Sequence, residues 1–140
     1  MLRIATVEDT ELVLEMATKF LEKTSYKDLF DKELLKHIIT DFVSSIGDDK
    51  VVIIHDKGMI AGMVTPFYFG KVKQATELAW WVDPSARKEG VGEKLLEAFE
   101  FWANKIGCKH VVMAALDEKL EKFYTSKGYR LVEHIYTKEL

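Results

Sequence analysis

Residues 75–107, ATELAWWVDPSARKEGVGEKLLEAFEFWANKIG, decide how the rest of the chain is read. Ala75 to Val82 is rich in apolar and aromatic residues and stops at Asp83-Pro84, the signature of a strand entering a turn. Arg87 to Gly92 is a short basic loop with two glycines. From Val91 the apolar residues recur at Val91, Leu95, Phe99, Trp102 and Ile106, the spacing of a helix that buries one face, and Gly107 ends it. A strand, a glycine loop and a helix in that order gather backbone N–H groups at a positive helix N-terminus, which suits a phosphate. Lacking a Cβ, Gly90 and Gly92 permit positive φ and close approach of a ligand, and Arg87, reinforced by Lys88, can supply charge-assisted contacts to phosphate oxygens. A plain strand-to-helix connection with two convenient glycines accounts equally for these residues, because a short glycine motif is weak evidence alone.

The chain has 140 residues, enough for one compact α/β domain and too few for two, and no repeat, linker or low-complexity segment divides 1–140. Hydrophobic residues at 48% and charged residues at 31% are the balance of a folded globular protein and argue against disorder. No apolar run approaches the length of a membrane span, and MLRIATVEDTE lacks the apolar core of a signal peptide, so a cytoplasmic location is expected, with no membrane partner. A net charge of −3 with the two signs interspersed offers no broad attraction to nucleic acid. Cys108 is the lone cysteine, and His37, His55, His110 and His134 are scattered without ligand spacing, so no metal is expected.

Working outward, Leu2–Ala5 predicts a short strand, and Thr6 with Asp9 resembles a helix N-cap pair ahead of a helix to about Thr24. SYKDLF (25–30) breaks the pattern. Asp31 can cap a second helix to about Ser45, with Leu34, Leu35, Ile38, Ile39, Phe42 and Val43 inward. Val51–Ile54 and Met59–Phe69 read as a hairpin across His55–Gly58, with Pro66 marking an edge, bulge or break. Beyond Gly107, Val111–Ala115 predicts a strand buried on both faces, Asp117 caps a helix to about Lys127 closed by Gly128, and Tyr129–Lys138 predicts a final strand.

These residues together resemble the GNAT superfamily of N-acetyltransferases, which move an acetyl group from acetyl-CoA to an amine. The family's pyrophosphate loop, Arg/Gln-x-x-Gly-x-Gly/Ala, stands here as Arg87-Lys88-Glu89-Gly90-Val91-Gly92, and its tyrosine with a following Gly-aromatic pair as Phe123-Tyr124-Thr125-Ser126-Lys127-Gly128-Tyr129. The resemblance covers Ala75 to Leu140; residues 1–74 match in element order only. It implies an α/β fold of the α+β mixed-sheet kind, a central mostly antiparallel sheet of six or seven strands flanked by about four helices. Two departures stand out. Asp117 and Leu120 occupy positions where the family often has Asn and Ala, and only a short tail follows Gly128, so the usual two last strands are expected to be reduced to one, leaving an edge that a homodimer partner would cover.

By the same resemblance, acetyl-CoA is the co-substrate and the backbone between Arg87 and Glu93 holds its diphosphate, with Lys88, Gly90, Val91 and Gly92 in that loop and Asp117 at the family's Asn position. Main-chain groups at Trp81 and Val82 pair with the pantetheine. Tyr124 donates a proton to the departing sulfur, and Glu77 accepts one from the amine, directly or through water. Strand alternation puts Glu77, Ala79 and Trp81 on one face and Leu78, Trp80 and Val82 on the other unless a bulge intervenes. The acceptor, a primary amine on a small molecule or a peptide, is expected near Tyr26, Asp28 and Phe30, with Trp80 adding to the pocket. Cys108 has no positioned His to activate it, which favours direct attack in a ternary complex. A CoA-binding domain that kept the fold and lost turnover is the alternative.

Overall fold

The computed structural model describes residues 1–140. Five strands form one mixed sheet in chain order: β1 (Arg3–Ile4), β2 (Lys50–His55), β3 (Gly58–Pro66), β4 (Lys73–Val82) and β5 (His110–Val112). The first three pairings are antiparallel and β4–β5 is parallel. Four helices flank it: α1 (Thr10–Glu22), α2 (Lys32–Ser44), α3 (Val91–Lys105) and α4 (Glu118–Ser126). The sheet thus has five strands, not six or seven. The missing one is the expected strand over Tyr129–Lys138, which is irregular and exposed because no strand of this chain lies beside it to complete its backbone hydrogen bonds.

Each sheet face builds its own core. On one, Val52, Ile54, Met59, Ala61 and Trp81 meet Val13, Met16 and Ala17 of α1 and Ile39 and Val43 of α2. On the other, Val51, Ile53, Ile60 and Ala75 meet Val91, Leu95, Phe99 and Ala103 of α3. Period-two alternation along β2 and β3 sends successive residues to opposite cores, which is why both strands read as nearly continuous apolar runs. The caps expected from the sequence form: Asp31 accepts from the Leu34 amide at 3.0 Å and Asp117 from that of Leu120 at 2.8 Å. At the chain start, Asp9 accepts from the Thr6 amide at 2.8 Å and pairs with Arg3 at 2.7 Å. On α2 only part of the apolar set turns inward, since Leu34 is 58% and Ile38 51% exposed. The apolar arc of that helix is wider than the face α1 and the sheet cover.

One irregularity interrupts the pairing of β3 with β4. Pairing of β3 with β4 runs Ala61 to Ala79 and then Gly62 to Glu77, so Leu78 is an extra residue, a β-bulge. Gly62 is required beside it: a Cβ there would lie 2.4 Å from the Phe99 ring. The bulge reverses the expected alternation. Glu77 falls on the α3 face with Ala75, Trp80 and Val82, while Ala79 and Trp81 face α1 and α2.

Candidate active site

Beyond Thr76 the two central strands part. β5 pairs with β4 only at Gln74, Ala75 and Thr76, so from Glu77 to Val82 the strand has no neighbour on that side. Side chains and one peptide span the opening. The Ala114 amide donates to Glu77 Oε1 at 3.4 Å, and the Tyr124 hydroxyl donates to the Ala114 carbonyl at 2.9 Å. A carboxylate from β4 and a phenol from α4 are therefore joined through a single residue just past β5. Burial pushes the Glu77 carboxyl up from 4.5 to about 7, only partly opposed by the Ala114 amide. Burial, with the Glu77 charge adding to it, also drives the Tyr124 phenol well above its ordinary value, so it is a proton donor at neutral pH.

Aromatic packing fixes the phenol. The Tyr124 ring stacks on Trp80 at 6.0 Å and meets Tyr129 at 5.5 Å, and Tyr129 donates its own hydroxyl to Glu100 of α3 at 2.8 Å. The Trp80 indole N–H is buried beside them without an acceptor in the protein. Trp80 therefore lies with Tyr124, away from the turn between α1 and α2 that carries Tyr26, Asp28 and Phe30. There Tyr26 and Asp28 are exposed and Phe30 is half-buried.

The loop after β4 leaves several amides unbonded at the start of α3. A 3-10 turn over Pro84–Ala86, capped by Asp83 accepting from the Ser85 amide, leads to Gly90, whose φ of 78° is the left-handed conformation that opens α3. The first bond of α3 runs from the Lys94 amide to the Gly90 carbonyl, so the amides of Val91, Gly92 and Glu93 have no intrahelical acceptor. Positive φ is confined to Gly90 in this loop; Gly92 is ordinary helix, and a Cβ on it would make only van der Waals contact with Val82 and Trp80, at 3.4 and 3.5 Å. The Val91 side chain is core, which leaves its amide as the usable group. Arg87 anchors its Nε on the Val82 carbonyl at 3.0 Å and lays its guanidinium 5.1 Å over Trp81, and its terminal nitrogens make no hydrogen bond within the chain. That carbonyl is thereby partly engaged. Lys88 is exposed. Glu93 would repel an anion in the first turn, but Lys127 at the end of α4 pairs with it.

An acyl-CoA fits these residues on three counts: an open strand edge, free amides at a glycine-bearing helix start, and an orphaned indole N–H between them. The contacts of three of these residues left no signal in the sequence, although Tyr129 belongs to the Gly-aromatic pair read there. Ala114 acts through its peptide, and no side-chain type signals that. Lys127 and Tyr129 act through α3 partners 34 and 29 positions away. Cys108 is half-buried and burial raises its thiol, the opposite of an activated nucleophile.

The sequence model described as the acetyltransferase (GNAT) domain matches residues 47–131. Comparison with curated proteins by sequence finds no match. Among solved structures, a possible acetyltransferase from Clostridium difficile 630 superposes with a TM-score of 0.80 at 12% identity, covering 100% of this chain and 97% of that one. Glucosamine-6-phosphate N-acetyltransferase from Arabidopsis thaliana gives 0.75 at 20% identity, with 99% and 97% covered. An aminoglycoside N-acetyltransferase in complex with CoA gives 0.76 at 13% identity, with 100% and 93% covered. At these identities the likeness is one of fold.

Proposed function

Since the chain belongs to the GNAT acetyltransferase family, we propose that it transfers the acetyl group of acetyl-CoA to a primary amine of a small molecule or a peptide by direct attack in a ternary complex. Acetyl-CoA supplies an acyl carbon activated as a thioester. The protein supplies the rest. An alkyl ammonium with a pKa near roughly 10.4 must lose a proton before it attacks, and Glu77 takes it, directly or through water. As the new C–N bond forms and the C–S bond breaks, Tyr124 gives its hydroxyl proton to the sulfur. The amides of Val91, Gly92 and Glu93, with Arg87 and Lys88, hold the diphosphate, and the backbone at Trp81 and Val82 holds the pantetheine.

The observation that carries this reading is the Glu77–Ala114–Tyr124 chain of hydrogen bonds at the place where the central strands separate, which supports taking the carboxyl as base and the phenol as acid. Asp117 serves α4 as its cap, so its contact with the co-substrate is the weakest member of the set. Tyr26, Asp28 and Phe30 form the acceptor side, aromatic walls and a carboxylate for a cation, while Trp80 belongs with the thioester. No helix is long and apolar enough to cross a membrane, and the proposed setting is the cytoplasm.

Calorimetry with acetyl-CoA, followed by thiol release against a broad panel of amines, tests the proposal. Uptake of acetyl-CoA and amine-dependent thiol release are expected. Uptake without release on any amine would leave a binding domain, and no uptake would remove both.

A further inference from the structure

The turn between β3 and β4 sets three aromatic residues in a row at one end of the sheet. Phe67, Tyr68 and Phe69 are 40%, 87% and 90% exposed, and neither sheet core includes them. The chain is held there: the Phe67 amide donates to the Val72 carbonyl at 3.2 Å and the Gly70 amide to the Phe67 carbonyl at 3.3 Å. Phe67 meets Phe69 edge-on at 5.7 Å and lies against Gly70, where an added Cβ would come within 3.3 Å of its ring. Phe67 is thus the brace, and Tyr68 and Phe69 are the point. Packing within the chain gives no reason for two such rings to stand in water.

The charges beside the tip have one sign. Lys71 lies in the turn itself and Lys73 opens β4; the Lys109 amide donates to the Lys73 carbonyl at 2.9 Å, and the Lys73 ammonium to the Ile106 carbonyl at 2.8 Å, next to Lys105 at the end of α3. All four lysines are exposed and no carboxylate answers any of them. On the other side the loop between α2 and β2, tied to β3 by the Val64 amide on the Asp49 carbonyl, adds Asp48 and Asp49, with Lys50 4.0 Å from the latter. Five lysines against two aspartates make these connections positive on a chain whose net charge is −3. An apolar point ringed by basic groups is complementary to a surface that is anionic outside and apolar beneath.

The tip is separate from the candidate active site. Extended, the ten residues of β4 span roughly 33 Å between it and the glycine loop, and Glu77 lies roughly 13 Å along the strand from Lys73. Shape selects the occupant. The turn Phe67–Val72 is too small to supply the roughly 800 Å² that each partner of a stable protein complex buries. A nucleic-acid strand needs ring faces in series, whereas the Phe67 and Phe69 rings stand at 77° to each other. The lack of a spanning segment led to no membrane partner being expected, but a peripheral contact needs no such segment.

We propose that this turn docks the protein on an anionic bilayer, Tyr68 and Phe69 entering the interfacial layer and Lys71, Lys73, Lys105 and Lys109 facing its phosphates. The glycine loop, at the other end of β4, then faces away from the membrane and stays open to solution.

Sedimentation of the full chain with vesicles tests this without reference to acetyl transfer, so the two readings fail separately. Vesicles of equal parts phosphatidylcholine and phosphatidylglycerol should carry the protein down at low salt, and vesicles of phosphatidylcholine alone should carry far less. Binding should fall steeply as salt is raised. Tyr68→Ser with Phe69→Ser, and separately Lys71→Glu with Lys109→Glu, should each weaken it by about tenfold or more. Leu29→Ser, in the turn before α2, removes a side chain that is 79% exposed and should leave binding unchanged. All these side chains are on the surface, so the melting curves should coincide. No binding to the anionic vesicles, equal binding to both kinds, full binding by either pair of substitutions, or an equal loss in Leu29→Ser would each overturn the proposal. Retention on single-stranded RNA with none on vesicles would assign the tip to nucleic acid and overturn it too. Should the paired Ser substitutions prevent folding, the paired Glu substitutions and the two kinds of vesicle decide.

Discussion

The two halves of β4 are one strand in two situations. Gln74 to Thr76 lie between β3 and β5; Ala75 is fully buried there, and the Thr76 and Thr65 hydroxyls close on each other across the β3 pairing at 2.7 Å. Glu77 to Val82 keep β3 but lose β5, and this half carries the raised carboxyl and the unpaired indole. A bulge at Leu78 falls at the junction and turns Glu77 toward α4. The proposed chemistry falls where pairing stops, because there main-chain groups, a carboxyl raised by burial and an open strand edge coincide. The residue types alone do not mark the boundary.

The largest effect is expected at the junction itself. Glu77→Gln keeps the shape and the contact to the Ala114 amide but cannot accept a proton, so kcat/KM should fall by about 10²- to 10⁴-fold. The unaltered enzyme should lose activity as pH drops through about 7, and the substituted one should lack that limb. Stability moves the other way. A carboxyl raised from 4.5 to about 7 makes the folded state bind more protons across that window, so unfolding free energy falls as pH rises through it, by roughly 3 kcal/mol in all. Gln at 77 should flatten that slope, measured by urea denaturation at pH 5 and pH 8. A steep slope that persists would assign the titration to another group.

Tyr124→Phe probes the far end of the same chain of hydrogen bonds. It removes the hydroxyl bonded to the Ala114 carbonyl and keeps the ring on Trp80. A fall in kcat of about a hundredfold is expected with acetyl-CoA affinity held. Ala114 is exposed, so its carbonyl regains water and the stability cost should be about 1 kcal/mol or less. Equal loss of affinity and turnover would make the phenol a packing residue.

How much of this was legible in the sequence follows the same division. The glycine loop, the helix after it and the two Asp caps were readable because each is local: periodicity, a missing Cβ or a short polar side chain announces it. Glu77 is expected as a site residue, but its face was not settled, because a bulge depends on the partner strand and on Phe99 beneath Gly62. Leu34 and Ile38 looked like core since apolarity does not reveal how wide a face the neighbours cover. The strand expected over 129–138 has the right residues and lacks a partner within the chain, a quantity no single segment encodes. Ala114 contributes only its peptide and leaves no mark at all.

Gly62→Ala tests whether the bulge is set from below. Its Cβ would meet the Phe99 ring at 2.4 Å and the Thr76 carbonyl at 2.9 Å; Phe99 is fully buried in the α3 core and the Thr76 contact is backbone. Overpacking of this kind costs about 1–3 kcal/mol, read as a lowered thermal midpoint. Because the strain falls opposite the Thr76–Glu77 step, the acid limb of the pH profile should shift as well. A destabilised protein with an unmoved limb would separate the bulge from the carboxyl it is held to orient.

The smallest structural effect, and the sharpest separation of fold from function, is expected at Gly92. Helical φ at this position accepts any residue, and the new Cβ would touch Val82 and Trp80 only at ordinary contact distance, so Gly92→Ala should change stability by no more than about 0.5 kcal/mol. Ala is also the better helix former. The fold therefore gives no reason for glycine here, in contrast to Gly90, where positive φ does. If the reason is a diphosphate lying against the amides of the first turn of α3, the added methyl should weaken acetyl-CoA binding by about tenfold while the melting curve stays in place, a loss of roughly 1.4 kcal/mol. Unchanged affinity in a protein of unchanged stability would put the anion elsewhere, and with it the whole alignment of the thioester against the unpaired half of β4.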